Sequence, residues 1–230
     1  MAAYQAEPEA GQPPGQARGG VVVVQEAFGV TAHIESVCRR LAAAGWTAVA
    51  PALFHRQGAP VLRYDDYASV SPLMAGLEAD GIRADIGAAL DHLESCGFGP
   101  GRSAIVGFCM GGTIAFHTAV DRPLGAAASF YGGGLAEGRF GFPPQLERAK
   151  SLRTPMLGLY GDRDRSIPPD QVEALRQALA GARVPAQLVR YPDAEHGFNC
   201  DHRPEVYNPQ AAGDAWGRTL DWFAAHVEEV

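Results

Sequence analysis

Gly107-Phe108-Cys109-Met110-Gly111-Gly112, residues 107–112, follows the apolar run Ala104-Ile105-Val106 and precedes the helix-like run Thr113-Ile114-Ala115-Phe116-His117. The pattern reads as strand, sharp turn and helix, with a nucleophile at the turn. Small residues two before and two after a nucleophile suit a strained strand-to-helix elbow, where a larger Cβ would clash. Such an elbow lifts the side chain above the sheet and aims a helix N-terminus at it. The usual nucleophile at such a turn is serine. Here it is Cys109, whose thiolate a helix N-terminus stabilises.

On either side of the elbow, strands alternate with helices. Val21 to Val24 is a β-branched run bounded by Gly19-Gly20, and Trp46 to Ala50 is a second strand, closed by Pro51. Between them, Thr31 to Ala44 carries Ile34, Val37, Cys38 and Leu41 at helical spacing, with Gly45 as the stop. Residues 52–79 form a long connection holding Phe54, His55, Arg56, Arg63, Tyr64 and Tyr67, and connections of this length are usually functional. Ile82 to Leu93 is the next helix. Strands follow near Ala126 to Tyr131, Met156 to Tyr160 and Ala186 to Tyr191, with helices over about Pro169 to Ala180 and Asp214 to Val227. Gly132-Gly133-Gly134 reads as a flexible loop.

Most of the strands are continuous apolar runs, which argues for strands buried on both faces. The fold class expected is α/β: a doubly wound, mostly parallel β-sheet with helices on both faces and its site at the strand C-terminal ends. Residues 21–230 are expected to form a single domain. Residues 1–20, rich in Gly, Pro, Ala and Gln, are expected to be a loose tail, or a short edge strand over Ala2 to Ala6.

Composition narrows the function. The 230 residues carry a net charge of −7, which disfavours a nucleic-acid or anionic-membrane partner. No apolar run approaches the roughly 20 residues of a membrane span, and no signal peptide is read at the N-terminus. Cys38, Cys96, Cys109 and Cys200 show neither metal-ligand spacing nor a CxxC pair, so no metal is expected and a reducing cytoplasm is the simplest setting. A monomer is expected, since no exposed apolar repeat suggests an interface.

A nucleophile on an elbow needs a base, and the base an orienting acid, following it in the order nucleophile, acid, base. After Cys109 come Gly161-Asp162-Arg163-Asp164 and Glu195-His196-Gly197-Phe198, each just past an expected strand. His196 is the candidate base, with His33, His55 and His202 as rivals. Asp164 is the candidate orienter, with Asp162 as the alternative. An oxyanion hole needs two backbone N–H groups. Met110 would give one, and the loop Gln25-Glu26-Ala27-Phe28-Gly29 the other, through Ala27. Glu26 in that loop either caps or pairs locally, or meets the Cys109 thiol and influences its protonation.

At these residues the chain resembles the dienelactone hydrolase family (carboxymethylenebutenolidases) of the α/β-hydrolase fold. The resemblance runs from about residue 21 to the C-terminus. It rests on Val-Val-Gln-Glu-Ala-Phe-Gly (23–29), Gly-Phe-Cys-Met-Gly-Gly (107–112), Gly-Asp-Arg-Asp-Arg-Ser-Ile-Pro (161–168) and Ala-Glu-His-Gly-Phe (194–198), in the family's order. It implies a triad of Cys109, His196 and Asp164 that opens a cyclic enol ester through a thioester, with no cofactor. Glu26 would contact the resting thiol and help deprotonate it when substrate binds. Family members that open dienelactone hold its carboxylate with two arginines. Arg63, with Tyr67 four residues on, is the match for one; Cys200 stands at the other, with Arg203 nearby in sequence, and Phe28 is a further candidate for the substrate wall.

The reading is therefore a cysteine-dependent hydrolase of a small lactone or ester. A general carboxylesterase or thioesterase on the same fold is the alternative, and a non-catalytic binding protein the reading from another class.

Overall fold

The computed structural model describes residues 2–8 and 17–228. The elements in chain order are β1 (Ala3–Ala6), β2 (Gly20–Val24), α1 (Ala32–Ala43), β3 (Thr47–Pro51), α2 (Tyr67–Ala75), α3 (Ala79–Ser95), β4 (Ser103–Phe108), α4 (Met110–Asp121), β5 (Ala126–Phe130), α5 (Gln145–Arg148), β6 (Met156–Gly161), α6 (Pro169–Leu179), β7 (Ala186–Tyr191) and α7 (Pro209–His226). The strands form one sheet in the order β1-β3-β2-β4-β5-β6-β7. All neighbours are parallel except the edge pair of β1 with β3. The short-edge-strand alternative thus describes residues 3–6, and the loose-tail expectation for residues 9–16 lies outside the described residues.

Burial follows from the runs that mark the strands. Every residue of β2, β3, β4, β5 and β6 is buried, because helices cover both faces. On one face α1 meets α7, where the Arg40 guanidinium lies 3.9 Å above the Trp216 ring. On the other, Arg83 of α3 reaches Asp121 at the end of α4, and α5 lies between α4 and α6. The β2–β4 register sets Val24 beside Gly107, and the β4–β5 register sets Phe108 beside Phe130. The C-terminal ends of β2, β4 and β5 therefore converge on the turn that holds Cys109.

Two expectations are corrected. The connection over residues 52–79 contains a helix, α2, started by the Asp66 carboxylate accepting from the Ser69 N–H at 3.2 Å. Gly132-Gly133 is no flexible loop. It is buried against α4, where Thr113 Oγ1 donates to the Gly133 carbonyl at 2.8 Å and a Cβ on Gly132 would meet Ser129 Oγ at 2.5 Å.

His117 of α4 is buried and stacks on Phe142 with ring centroids 4.3 Å apart. Burial, with Arg148 nearby, lowers its pKa from 6.5 to about 4. Its folded pKa lies below its unfolded one, so the unfolded chain binds more protons between those values and stability falls as pH drops through that window. This one group accounts for up to about 3 kcal/mol between pH 7 and pH 4. Urea denaturation is expected to show a smaller loss on acidification in His117→Phe than in the parent; an equal loss would contradict it.

Candidate active site

Cys109 joins β4 to α4 with φ 55° and ψ −115°, a left-handed conformation that costs an L-residue about 1–3 kcal/mol. What enforces it is the lack of room around the turn. A Cβ on Gly107 would lie 1.9 Å from the Gly111 carbonyl oxygen, and one on Gly111 would lie 2.3 Å from the Val24 carbonyl oxygen. The Cys109 N–H donates to the Phe130 carbonyl at 3.0 Å, and its own carbonyl accepts from Gly112 and Thr113 as α4 begins. The thiol is thereby left partly exposed at the mouth of the sheet.

The turn after β7 brings His196 to it. His196 Nδ1 lies 2.6 Å from Asp164 Oδ2, with the carboxylate buried and the ring 29% exposed. The other oxygen, Asp164 Oδ1, accepts from Ser166 N at 2.8 Å, Ser166 Oγ at 2.6 Å and Ile167 N at 3.2 Å. Burial opposes ionisation of Asp164, but these donors and His196 outweigh it and hold its pKa below the usual carboxylate range. Burial likewise opposes charge on His196, and the Cys109 sulfur and Asp164 carboxylate beside it outweigh that, raising its pKa well above 6.5. The rivals are engaged elsewhere. Asp162 pairs with Arg190 at 2.6 Å, His55 with Asp85 at 3.0 Å, and His33 with Asp201 at 3.1 Å, while His202 lies beside the same Asp201.

The loop after β2 faces the elbow. Among the described residues, neither the Ala27 nor the Met110 N–H donates to another backbone carbonyl. Glu26 is 2% exposed, and its Oε2 has no hydrogen-bond partner among the described residues. Its charge disfavours ionisation of Tyr64, Tyr131 and Cys200 and favours the charge on Arg203.

Arg203 packs among the aromatic side chains of this region. Its side chain is 11% exposed, and its guanidinium lies 5.9 Å from the Phe28 ring centroid and 5.7 Å from that of Tyr64, with Nη2 donating to Tyr67 Oη at 3.4 Å. Burial opposes its charge, and Glu26, Tyr67 and Glu205 more than restore it. The structure does not bring Arg63 here. That side chain is 83% exposed and pairs with its neighbour Asp65, because the loop turns it to solvent. Cys200 is buried beside Tyr64, and burial pushes its thiol up to about 12.

Sequence reasoning missed Tyr131. It follows β5 with φ 42°, is fully buried, and lies 5.1 Å from the His196 ring. Its hydroxyl has no partner among the described residues and senses the charges of Glu26, Cys200, Cys109 and Arg203. The only sequence signal is an aromatic residue squeezed between a strand and Gly132-Gly133.

The structure brings an imidazole and a carboxylate into contact near the elbow thiol, with a largely buried guanidinium in the same region. No helix among the described residues is long and apolar enough to cross a membrane. Comparison with known proteins agrees with the fold. The sequence profile of the dienelactone hydrolase family matches residues 1–227. A Salmonella typhimurium protein provisionally named a carboxymethylenebutenolidase is 42% identical over 232 residues, covering 98% of this chain and 83% of its own length. A Methylorubrum extorquens protein of the same provisional name is 35% identical, over 96% of this chain and 75% of its own. The crystal structure of a Klebsiella pneumoniae protein provisionally named a dienelactone hydrolase superposes with a TM-score of 0.86 at 40% identity, covering 96% of this chain and 92% of the other. The chain belongs to the dienelactone hydrolase family and is a hydrolase of carboxylic-ester or lactone bonds in small molecules.

Proposed function

We propose that this chain opens a small lactone or enol ester bearing an anionic group, through a thioester on Cys109. The observation that carries the reading is the 2.6 Å Asp164–His196 contact, with the Cys109 sulfur near enough to favour charge on the ring. The sulfur attacks the acyl carbon as a thiolate while His196 holds the proton. The carbonyl oxygen becomes an oxyanion facing the Ala27 and Met110 N–H groups. As the oxyanion collapses, the acyl carbon–oxygen bond breaks and the leaving oxygen takes the proton from His196. Water, deprotonated by His196, then attacks the thioester and frees the carboxylate and the thiol. The residues supply every proton transfer.

Arg203, framed by Phe28, Tyr64 and Tyr67, supplies the clamp for a substrate carboxylate. A charge-assisted hydrogen bond contributes about 1.5–3 kcal/mol, so Arg203→Ala is expected to raise KM for an acidic lactone roughly 10- to 100-fold. KM for a neutral p-nitrophenyl ester should hardly change. The test is hydrolysis of a dienelactone and of that ester by the parent and by Arg203→Ala. Equal turnover of both substrates, with Arg203→Ala affecting them alike, would instead favour a general carboxylesterase. That second reading draws on Cys200 standing where a second arginine was expected.

Glu26 restrains the resting thiol in this account. A buried carboxylate in the same region opposes a permanent thiolate by like-charge repulsion. Glu26→Gln is expected to speed alkylation of Cys109 by iodoacetamide and to shift its pH profile downward. An unchanged rate and profile would remove Glu26 from the mechanism.

A further inference from the structure

His33, Asp201 and His202 make a second group of polar side chains, apart from the triad. His33 Nδ1 lies 3.1 Å from Asp201 Oδ1, and His202 Nδ1 lies 3.7 Å from the same oxygen. One donor atom from each of the three lies within 4.8 Å of the other two. His33 is rigid. It sits in the first turn of α1, behind the Thr31 cap, buried with its ring packed edge-on against Phe108. Asp201 and His202 are 53% and 46% exposed, so the group is open to solvent on one side.

These features suit a particular class of ion. Two imidazoles and one carboxylate, with an open side for water, match a four-coordinate borderline ion such as Zn²⁺. A hard ion such as Ca²⁺ takes six to eight oxygens, which one carboxylate does not supply. The 3.1 and 3.7 Å separations are already near those of ligand atoms sharing a small ion, so little reorganisation is needed.

We propose that His33, Asp201 and His202 bind a zinc-class divalent ion at the rim of the active site. The ion replaces the His33–Asp201 hydrogen bond and ties α1 to the turn over residues 200–203. That turn also carries Arg203, so the ion fixes the backbone that presents the buried guanidinium. The inference rests on these three residues and is independent of the substrate proposed above.

The test uses metal-stripped full-length protein. Zn²⁺ is titrated against a chromophoric chelator, and Co²⁺ binding is followed by visible absorption. One ion per chain is expected, with the d–d bands of nitrogen and oxygen ligation and no thiolate charge-transfer band. Affinity should fall at least about tenfold in His202→Ala and in Asp201→Asn, both exposed positions whose replacement leaves the core intact. Cys109→Ser should bind as the parent does. Absence of binding, equal affinity in both variants, or a thiolate band as the only signal would overturn the proposal. A band lost in Cys109→Ser would place the ion on the nucleophile instead.

Discussion

Cys109→Ala is expected to lower kcat/KM for any ester or lactone substrate by at least about 10⁴-fold while leaving the fold intact, the scale of loss when a nucleophile is removed from a triad. In the proposed mechanism the sulfur forms the acyl intermediate. His196 and Asp164 remain in place without it, since their 2.6 Å contact and the Ser166 and Ile167 donors do not involve the thiol. Circular dichroism should therefore match the parent. Cys109→Gly sharpens the prediction, because glycine tolerates φ 55° without the cost borne by cysteine. It should be equally inactive and about 1 kcal/mol more stable in urea. An active Cys109→Ala enzyme would refute the account of the site.

Gly107→Ala carries the largest expected effect on stability. The added methyl would sit 1.9 Å from the Gly111 carbonyl oxygen and 2.2 Å from its carbon, both main chain in the first turn of α4. Relief requires lifting α4 away from β4, against a helix in which all residues from Met110 to Val120 are buried. A loss above about 4 kcal/mol follows, a large share of the roughly 5–15 kcal/mol that holds a domain folded. The variant should be insoluble or unfold at much lower urea. Gly213 in α7 is the control: a Cβ there meets nothing within 4 Å, so Gly213→Ala should stabilise by up to about 1 kcal/mol. Similar behaviour of the two variants would mean the elbow is not sterically fixed.

The sequence was legible where burial is uniform. β2, β4, β5 and β6 read as apolar runs because both of their faces are covered, and the elbow because its glycines answer a local steric demand. Chain order pointed to His196 and to Asp164 or Asp162, since the partners of an elbow nucleophile come from turns at the same end of the sheet. Helix α2 escaped notice because Pro72 interrupts its pattern and only Val70 among its residues is buried. Arg203 and Arg63 could not be told apart in advance. Whether a long side chain turns inward depends on the turn that carries it, and Arg63 finds Asp65 two residues away while Arg203 is drawn under Tyr64 and Phe28. The His33–Asp201 contact joins residues 168 apart, beyond the reach of any local pattern.

The central claim is the covalent intermediate, and the most direct measurement is intact and peptide mass analysis after rapid acid quench during turnover of an activated ester. The account predicts a mass increase equal to the acyl group, located on the peptide containing Cys109, released by hydroxylamine and absent from Cys109→Ala. Turnover without any adduct on that peptide, together with retained activity in Cys109→Ala, would contradict it.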